Sequence, residues 1–396
     1  MCATRAPFIT NYLFMAIGTI IQQTFVKRAL WLGLGWLGII APTWAQHTFS
    51  PLPKSMYRDL SRILQVETAI DPKHRPEIQM VLIDGDSLWI AHFEATGRQH
   101  TSSADSATVY EVGALSMLPT AALACLAAKK GLLSLDSSIN HYLPDSFRLE
   151  WLAPYSLRQL LTHQVGLARQ PDMKGTLNQP DQSPFAQYSW SDLLAWLKQL
   201  PEPRDAAAYS FSYVHYALVQ LILEHLTSQP IEQLFDAWIG QVAGLYESGY
   251  QWTKNMWTQM AIPHNRGGRT VAPWKFSSFE GALAFKTSPR DMATLIRWLL
   301  QEPSCQPLFD PYTAVPYRKG VWATAGGHAT FPRKHIKVVA QSGATDGHSA
   351  YIAIAPDYQK AIIVFADTAI GLGKFGYLSL RYLMRGWHVK KLRDAR

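Results

Sequence analysis

Residues 109–126 read VYEVGALSMLPTAALACL, and the chain continues AAKKG to residue 131. From 115 onward this run is rich in Ala and Leu, holds its charges back to Lys129 and Lys130, and stops at Gly131. That pattern predicts a helix over 115–131 that is apolar on all sides, and such a helix has to be covered by other layers of structure. Working outward, QMVLI (79–83), the turn-forming Asp84-Gly85-Asp86 and the apolar run 87–93 predict a β-hairpin after a polar lead-in. Downstream, 156–163, 191–199, 214–227 and 231–243 predict helices separated by Pro- and Gln-rich loops, and DMATLIRWLLQ (291–301) predicts one more. The chain closes with predicted strands at 337–340, 349–355 and 360–366 and a last helix. Strands at both ends around a helical middle predict a discontinuous sheet domain, 46–125 with 275–396, carrying an inserted helical subdomain, 126–274.

Composition agrees with a large buried core. Of 396 residues, 48% are hydrophobic and 12% aromatic, against 17% charged. Global disorder is excluded, because that much apolar surface offsets the ordering entropy. No repeat or low-complexity tract occurs, which excludes solenoids and propellers. The length fits two to three domain equivalents of ~150 residues, or one large α/β fold.

The first 45 residues stand apart, with Arg5, Lys27 and Arg28 and no acidic residue. Lys27 and Arg28 precede an apolar run from 29 to 40, then Pro42, Thr43, Trp44 and Ala45. A basic segment, an apolar run of about a dozen residues and a small residue at the end form the pattern of an export signal. Cleavage is expected after Ala45, from a start at Met1 or Met15, which makes the mature chain periplasmic or secreted. An uncleaved membrane anchor is the other reading, although the run falls short of the ~20 residues a span needs. No membrane span is expected in the mature chain. Loss of the leader lowers the formal net charge from +8 to +5. That mild charge suits contact with anionic envelope polymers, and no basic stripe with interleaved aromatics points to nucleic acid. The C-terminal RYLMRGWHVKKLRDAR (381–396) is locally basic and reads as a solvated final helix. Cys2 leaves with the leader, and Cys125 and Cys305 are expected as unpaired thiols. No His/Cys spacing suggests a metal, and no cofactor is implied.

Six segments in order carry a resemblance. They are 109–126, KKGLLSLDSSINHYLPD (129–145), YSLRQLLTHQVGLARQ (155–170), YSFSYVHYALVQLILEHLT (209–227), GALAFKTSPRDMATLIRWL (281–299) and QSGATDGHSAYIAIAPDYQKAIIVFADT (341–368). Together the set resembles the serine β-lactamase-related superfamily, nearest to class C β-lactamases and low-molecular-weight penicillin-binding proteins. The resemblance implies an α/β (α+β) fold of the β-lactamase/transpeptidase type, an antiparallel sheet flanked by helices with an all-helical subdomain inserted. It also implies acyl-transfer chemistry. A serine opening a buried helix attacks a carbonyl, a lysine three residues on shares its helical face and helps remove the proton, and two backbone N–H groups stabilise the oxyanion.

This chain departs from that pattern at every side chain that would do the chemistry. The nucleophile position holds Ala114 and the lysine position Met117. Phe211 stands where the proton-transfer tyrosine belongs and Tyr213 where an asparagine belongs, while Gln341 replaces the cation of the third element. No S-x-x-K occurs anywhere in the chain. Ser116 is no substitute, since two residues along a helix turn it about 200° away. Losing such a nucleophile costs on the order of 10⁶ in turnover, and ~10³–10⁴ over water would remain from binding and the oxyanion hole. Because Ala114, Met117 and Phe211 are apolar, the pocket is expected to be rebuilt dry, with no lone buried cation left behind.

By the same correspondence, Ser342, Gly343 and Ala344 are ligand-binding candidates, with the Ala114 and Ala344 N–H groups as an anion-accepting notch. Gln170 matches a substrate-contacting glutamine, and Asp367 lies where relatives often carry an asparagine near the substrate carboxylate, a ligand that an acid there would repel. Asp346 and His348 are the candidates for replacement acid–base chemistry, and His163 matches a structural histidine. The leading expectation is an exported, non-acylating module that binds a peptidoglycan-derived peptide or an envelope protein. A diverged hydrolase, carboxypeptidase or esterase with another nucleophile is the alternative. A third is a structural protein that makes contact through its basic C-terminal helix.

Overall fold

The computed structural model describes residues 48–68, 76–94, 105–173, 183–201, 209–311, 316–318, 321–333 and 336–385. The expected leader and the cleavage point expected at Ala45, together with Cys2 and residues 386–396 of the basic tail, lie outside the described residues. All the described residues fall in one compact unit, Trp44–Arg396.

Among the described residues there are eleven strands: β1 (Ser50–Pro51), β2 (Glu77–Asp84), β3 (Ser87–Glu94), β4 (Tyr110–Glu111), β5 (Lys286–Thr287), β6 (Pro316–Arg318), β7 (Val321–Thr324), β8 (Gly327–Arg333), β9 (Ile336–Ala344), β10 (Ser349–Ala355) and β11 (Lys360–Ala366). Nine of them form one sheet in the order β1-β3-β2-β11-β10-β9-β8-β7-β6, and β4 and β5 pair separately. Every pairing in the large sheet is antiparallel except that of β1 with β3. The fold is therefore the expected antiparallel sheet flanked by helices.

The central strands read as continuous apolar runs because both of their faces are covered. Side chains alternate across them. Val81, Ile83, Ile352 and Ile363 enter the core that also holds the Met117–Lys129 helix. Met80, Leu82, Ala353 and Val364 enter a second core, beneath helices Lys54–Glu67 and Gly373–Arg385. As anticipated, the Met117–Lys129 helix is buried without a break from Met117 to Ala127. The hairpin at 79–93 forms as read, and the strands at 349–355 and 360–366 match to the residue.

Four expectations change. The polar lead-in holds a helix, Lys54–Glu67, whose Leu60, Ile63 and Leu64 are buried on the sheet while its other face is charged. The helix read at 231–243 is interrupted by a π-helical turn at Asp236–Gly240. Strands β6, β7 and β8 were not anticipated, since that part of the chain lacks a clean apolar alternation. Strand β9 runs on to Ala344 instead of ending at 340, so residues 341–344 are strand and not loop. Cys125 and Cys305 are both free and buried.

Candidate functional site

The opening of the buried helix is a short 3₁₀ turn, Gly113–Ser116, and strand β9 crosses it at backbone distance. Gly113 has φ 51°, and a Cβ there would lie 2.4 Å from the Ala344 oxygen and 2.7 Å from its nitrogen. A Cβ on Gly343 would lie 2.0 Å from the Val112 oxygen and 2.8 Å from the Ala114 nitrogen. Two glycines therefore let turn and strand touch, which brings the Ala114 and Ala344 amides together. Ala114 sits in the first helical turn, where an N–H has no carbonyl one turn earlier to bond. Thr345 N donates to His348 O at 3.0 Å to close the β9–β10 turn. By ladder alternation, Ala344 one residue back then aims its N–H away from β10. Its other neighbour, β8, pairs with β9 only as far as Ala340. Past that point no strand among the described residues pairs with this edge of β9.

This edge borders an open cleft of about 850 Å³. Ala114, Gln341, Ser342, Gly343 and Ala344 line one side, while Arg169, Tyr209, Phe211 and Tyr213 line the helical side. His328 of β8 also contributes to the lining. The expected ligand candidates Ser342, Gly343 and Ala344 are thus brought together with four of the five substituted positions. Met117, the fifth, is 3% exposed and faces a separate void of about 10 Å³ beside His163, Tyr209 and Gln341. Such a void holds at most one water. The space where a lysine would stand is therefore closed, while the cleft in front of Ala114 stays open. Ser116 is fully buried: its Oγ donates to Gly113 O at 2.6 Å and accepts from Phe285 N at 2.8 Å, so it is a structural hydroxyl.

Gln170, Asp346, His348 and Asp367 are not among the residues lining the cleft. His348 is fully buried. Its Nδ1 accepts from Glu111 N at 3.3 Å and its Nε2 donates to Ala261 O at 3.0 Å, so both ring nitrogens are committed to holding chain segments together. Asp346 accepts from the Trp274 indole N–H at 3.1 Å. Asp367 accepts from Glu77 N at 3.0 Å and from the Thr368 hydroxyl at 2.9 Å, beyond the end of β11. Burial pushes the Asp367 carboxyl above its ordinary range, against those two hydrogen bonds. Gln170 is half-buried, next to the lining residue Arg169. Of these four, His348 and Asp367 make side-chain hydrogen bonds that hold backbone segments together at strand ends.

Behind the cleft wall, His163 and His215 meet through their Nδ1 atoms at 2.9 Å. Ser212 N donates to His163 Nδ1 at 3.3 Å, so the shared proton belongs to His215. Burial pushes both rings down, His163 well below the usual range and His215 to about 3, so both are neutral near pH 7. His163, at φ 60°, stacks within 4.8 Å of the Phe211 ring and supports it from behind.

Three lining residues escaped sequence reasoning. Tyr209 Oη and His328 Nε2 share a hydrogen bond across the cleft wall. Arg169 donates to the Tyr213 hydroxyl, and its guanidinium carbon lies 4.9 Å from the Tyr213 ring centre and 5.4 Å from that of Phe211. His328 was hidden because strand β8 was not recognised. Arg169 was visible only as a cation beside Gln170, with nothing to indicate the rings that hold it. Among the described residues no cluster suited to a metal ion is present, and no helix is long and apolar enough to cross a membrane. Neither thiol is an activated nucleophile, since burial pushes Cys125 up to about 12 and Cys305 above the ordinary thiol range.

Three comparisons bear on this geometry. The beta-lactamase family model matches residues 65–378. The penicillin-binding protein candidate PbpX of Bacillus subtilis (strain 168) is 22% identical over 258 residues, which cover 63% of this chain and 62% of that protein. The chain thus spans less than two thirds of the length of this curated relative. A solved class C beta-lactamase aligns with a TM-score of 0.69 at 18% identity, over 84% of this chain and 97% of its own. The beta-lactamase/D-alanine carboxypeptidase of Pseudomonas syringae aligns with a TM-score of 0.67 at 18% identity, over 84% and 98%. At such identities the solved structures establish the fold alone.

Proposed function

This chain belongs to the beta-lactamase family, and from that premise we propose a member that binds without acylating. It is an exported envelope protein that holds a peptidoglycan-derived peptide, or a peptide segment of an envelope protein, in the cleft above Ala114, as a binding or regulatory module. One observation carries this reading: the cleft is open while the reactive side chains are gone. Ala114 has only a methyl group at the bottom of the cleft, and the thioether of Met117 closes off the lysine's space. A strand edge and two amides with no backbone partner among the described residues suit an extended peptide, whose backbone supplies the matching donors and acceptors. The names of the relatives, penicillin-binding protein and carboxypeptidase, agree in substrate class. The experiment is turnover of a chromogenic β-lactam and a p-nitrophenyl ester by purified protein. Rates at background are expected, and turnover well above it would refute the reading.

The Tyr209–His328 hydrogen bond favours a second reading, a diverged hydrolase with a tyrosine nucleophile and a histidine base. A serine- and tyrosine-reactive activity probe followed by peptide mapping separates the two, since only the second reading predicts a label on Tyr209.

A further inference from the structure

Deepening the binding role proposed above, on which it rests, we infer that Arg169 reads a carboxylate on the ligand. It does so from the wall of the cleft opposite the strand that lost its cation. The described residues lining the cleft include no Asp, Glu or Lys, so Arg169 is the one lining side chain with a fixed charge. Gln341 leaves the cleft-facing end of β9 uncharged, Met117 leaves the opening of the buried helix uncharged, and the neutral His163–His215 pair adds no charge from behind. Among the described residues no carboxylate meets Arg169. One of its N–H groups goes to the Tyr213 hydroxyl, and the rest of its planar fork is left for a ligand.

The side chain is also held in place. Tyr213 N donates to Arg169 O at 2.8 Å, and the guanidinium lies against both the Tyr213 and Phe211 rings. Cation–π contact with two rings limits the rotamer freedom that a surface arginine would lose on binding an anion. A peptide seated along β9 brings its own anion, a terminal or side-chain carboxylate, and a guanidinium takes a carboxylate through two parallel hydrogen bonds. The replacements at 211 and 213 thereby acquire a shared purpose: they remove acyl-transfer groups and build a mount for the cation.

The test uses the full chain after export and isothermal titration with two probes, each as carboxylate and as carboxamide. One is an N-acylated Lys-D-Ala-D-Ala tripeptide and the other N-benzoylglycine. Both carboxylates are expected to bind about tenfold or more tightly than their amides, and Arg169→Gln should erase that preference. Arg169→Lys should restore part of it, since charge returns without the fork. Matching melting curves for the variants exclude misfolding. If the tripeptide binds equally as acid and amide, or Arg169→Gln keeps the preference, the inference is overturned and the peptide-binding role stands. If N-benzoylglycine alone binds, and does so through Arg169, the inference stands and the wall-peptide role falls. If neither carboxylate binds, both fall.

Discussion

Replacing Gly343 by Ala tests the contact on which the whole cleft depends. The added Cβ would lie 2.0 Å from Val112 O, 2.7 Å from Leu115 N and 2.8 Å from Ala114 N, whereas ordinary contact begins near 3.4 Å. All three obstacles are backbone atoms of the 3₁₀ turn and its entry, so no side-chain rotamer can give way. Strand β9 or the turn has to retreat by well over an ångström, and both are anchored. Strand β9 is paired along Val339–Ala344 to β10, and the turn leads into a helix buried from its first residue. Overpacking ordinarily costs about 1–3 kcal/mol, and the lack of a flexible neighbour puts this substitution at about 3 kcal/mol or more. For a chain of this size that lowers the melting temperature by roughly 4 °C or more. The retreat also separates the Ala114 and Ala344 amides, so ligand affinity should fall in the molecules that remain folded. Gly371→Ala is the control: Gly371 also lines the cleft, but its added Cβ meets nothing within 4 Å, and a change within about 0.5 kcal/mol is expected. Thermal melting followed by near-UV circular dichroism, with titration of the carboxylate probe, reads both effects. A Gly343→Ala protein that melts within about a degree of the parent would refute the backbone contact and the notch built on it.

Further outcomes follow from buried groups. Met117→Lys puts an ammonium beside a void too small to solvate it, so urea unfolding should show a loss of about 3 kcal/mol or more; a neutral result would mean that the lysine's space is not closed. The folded-state pKa values of His163 and His215 lie below the ordinary histidine value, so their stabilisation is complete above pH ~6.5. It is lost as pH falls below that value, down to about 3 for His215, by up to about 1.4 kcal/mol per pH unit for each ring. His215→Asn should flatten the slope of urea midpoints between pH 6.5 and 5, and an unchanged slope would count against it. Lys286 donates to Tyr250 O at 2.5 Å and is pushed by burial down to about 8, so its charge costs folding energy at pH 7. That cost fades as pH rises from 8 toward the unfolded lysine value near 10.5. Lys286→Met is therefore expected to gain about 1 kcal/mol at pH 7 and less at pH 10, and a loss at pH 7 would reverse the sign.

Much of the fold was legible because its strongest signals are local. The Ala/Leu run of 115–131 and the apolar runs at 349–355 and 360–366 are buried on both faces, and a continuous apolar stretch declares itself without knowledge of its neighbours. Strands β6 to β8 sit toward one margin of the sheet, and their residues lack a clean apolar alternation, so they were invisible. The Lys54–Glu67 helix was read as a polar segment because only one stripe of it is apolar. Around the site, Asp346, His348 and Asp367 looked chemical because Asp and His serve both catalysis and turn closure, and sequence does not separate the two roles.

The absence of a hydroxyl at 114, an ammonium at 117 and a phenol at 211 is a property of the chain alone, since no fold can supply a functional group that its residues lack. Whether the cleft behind those positions had collapsed, and where a cation would reappear, was decided only by tertiary structure. Arg169 and Tyr213 are 44 residues apart, and the strand facing them comes from the far end of the chain. Contact between such distant segments is set by how helices and sheet pack, and no local pattern in the sequence records it.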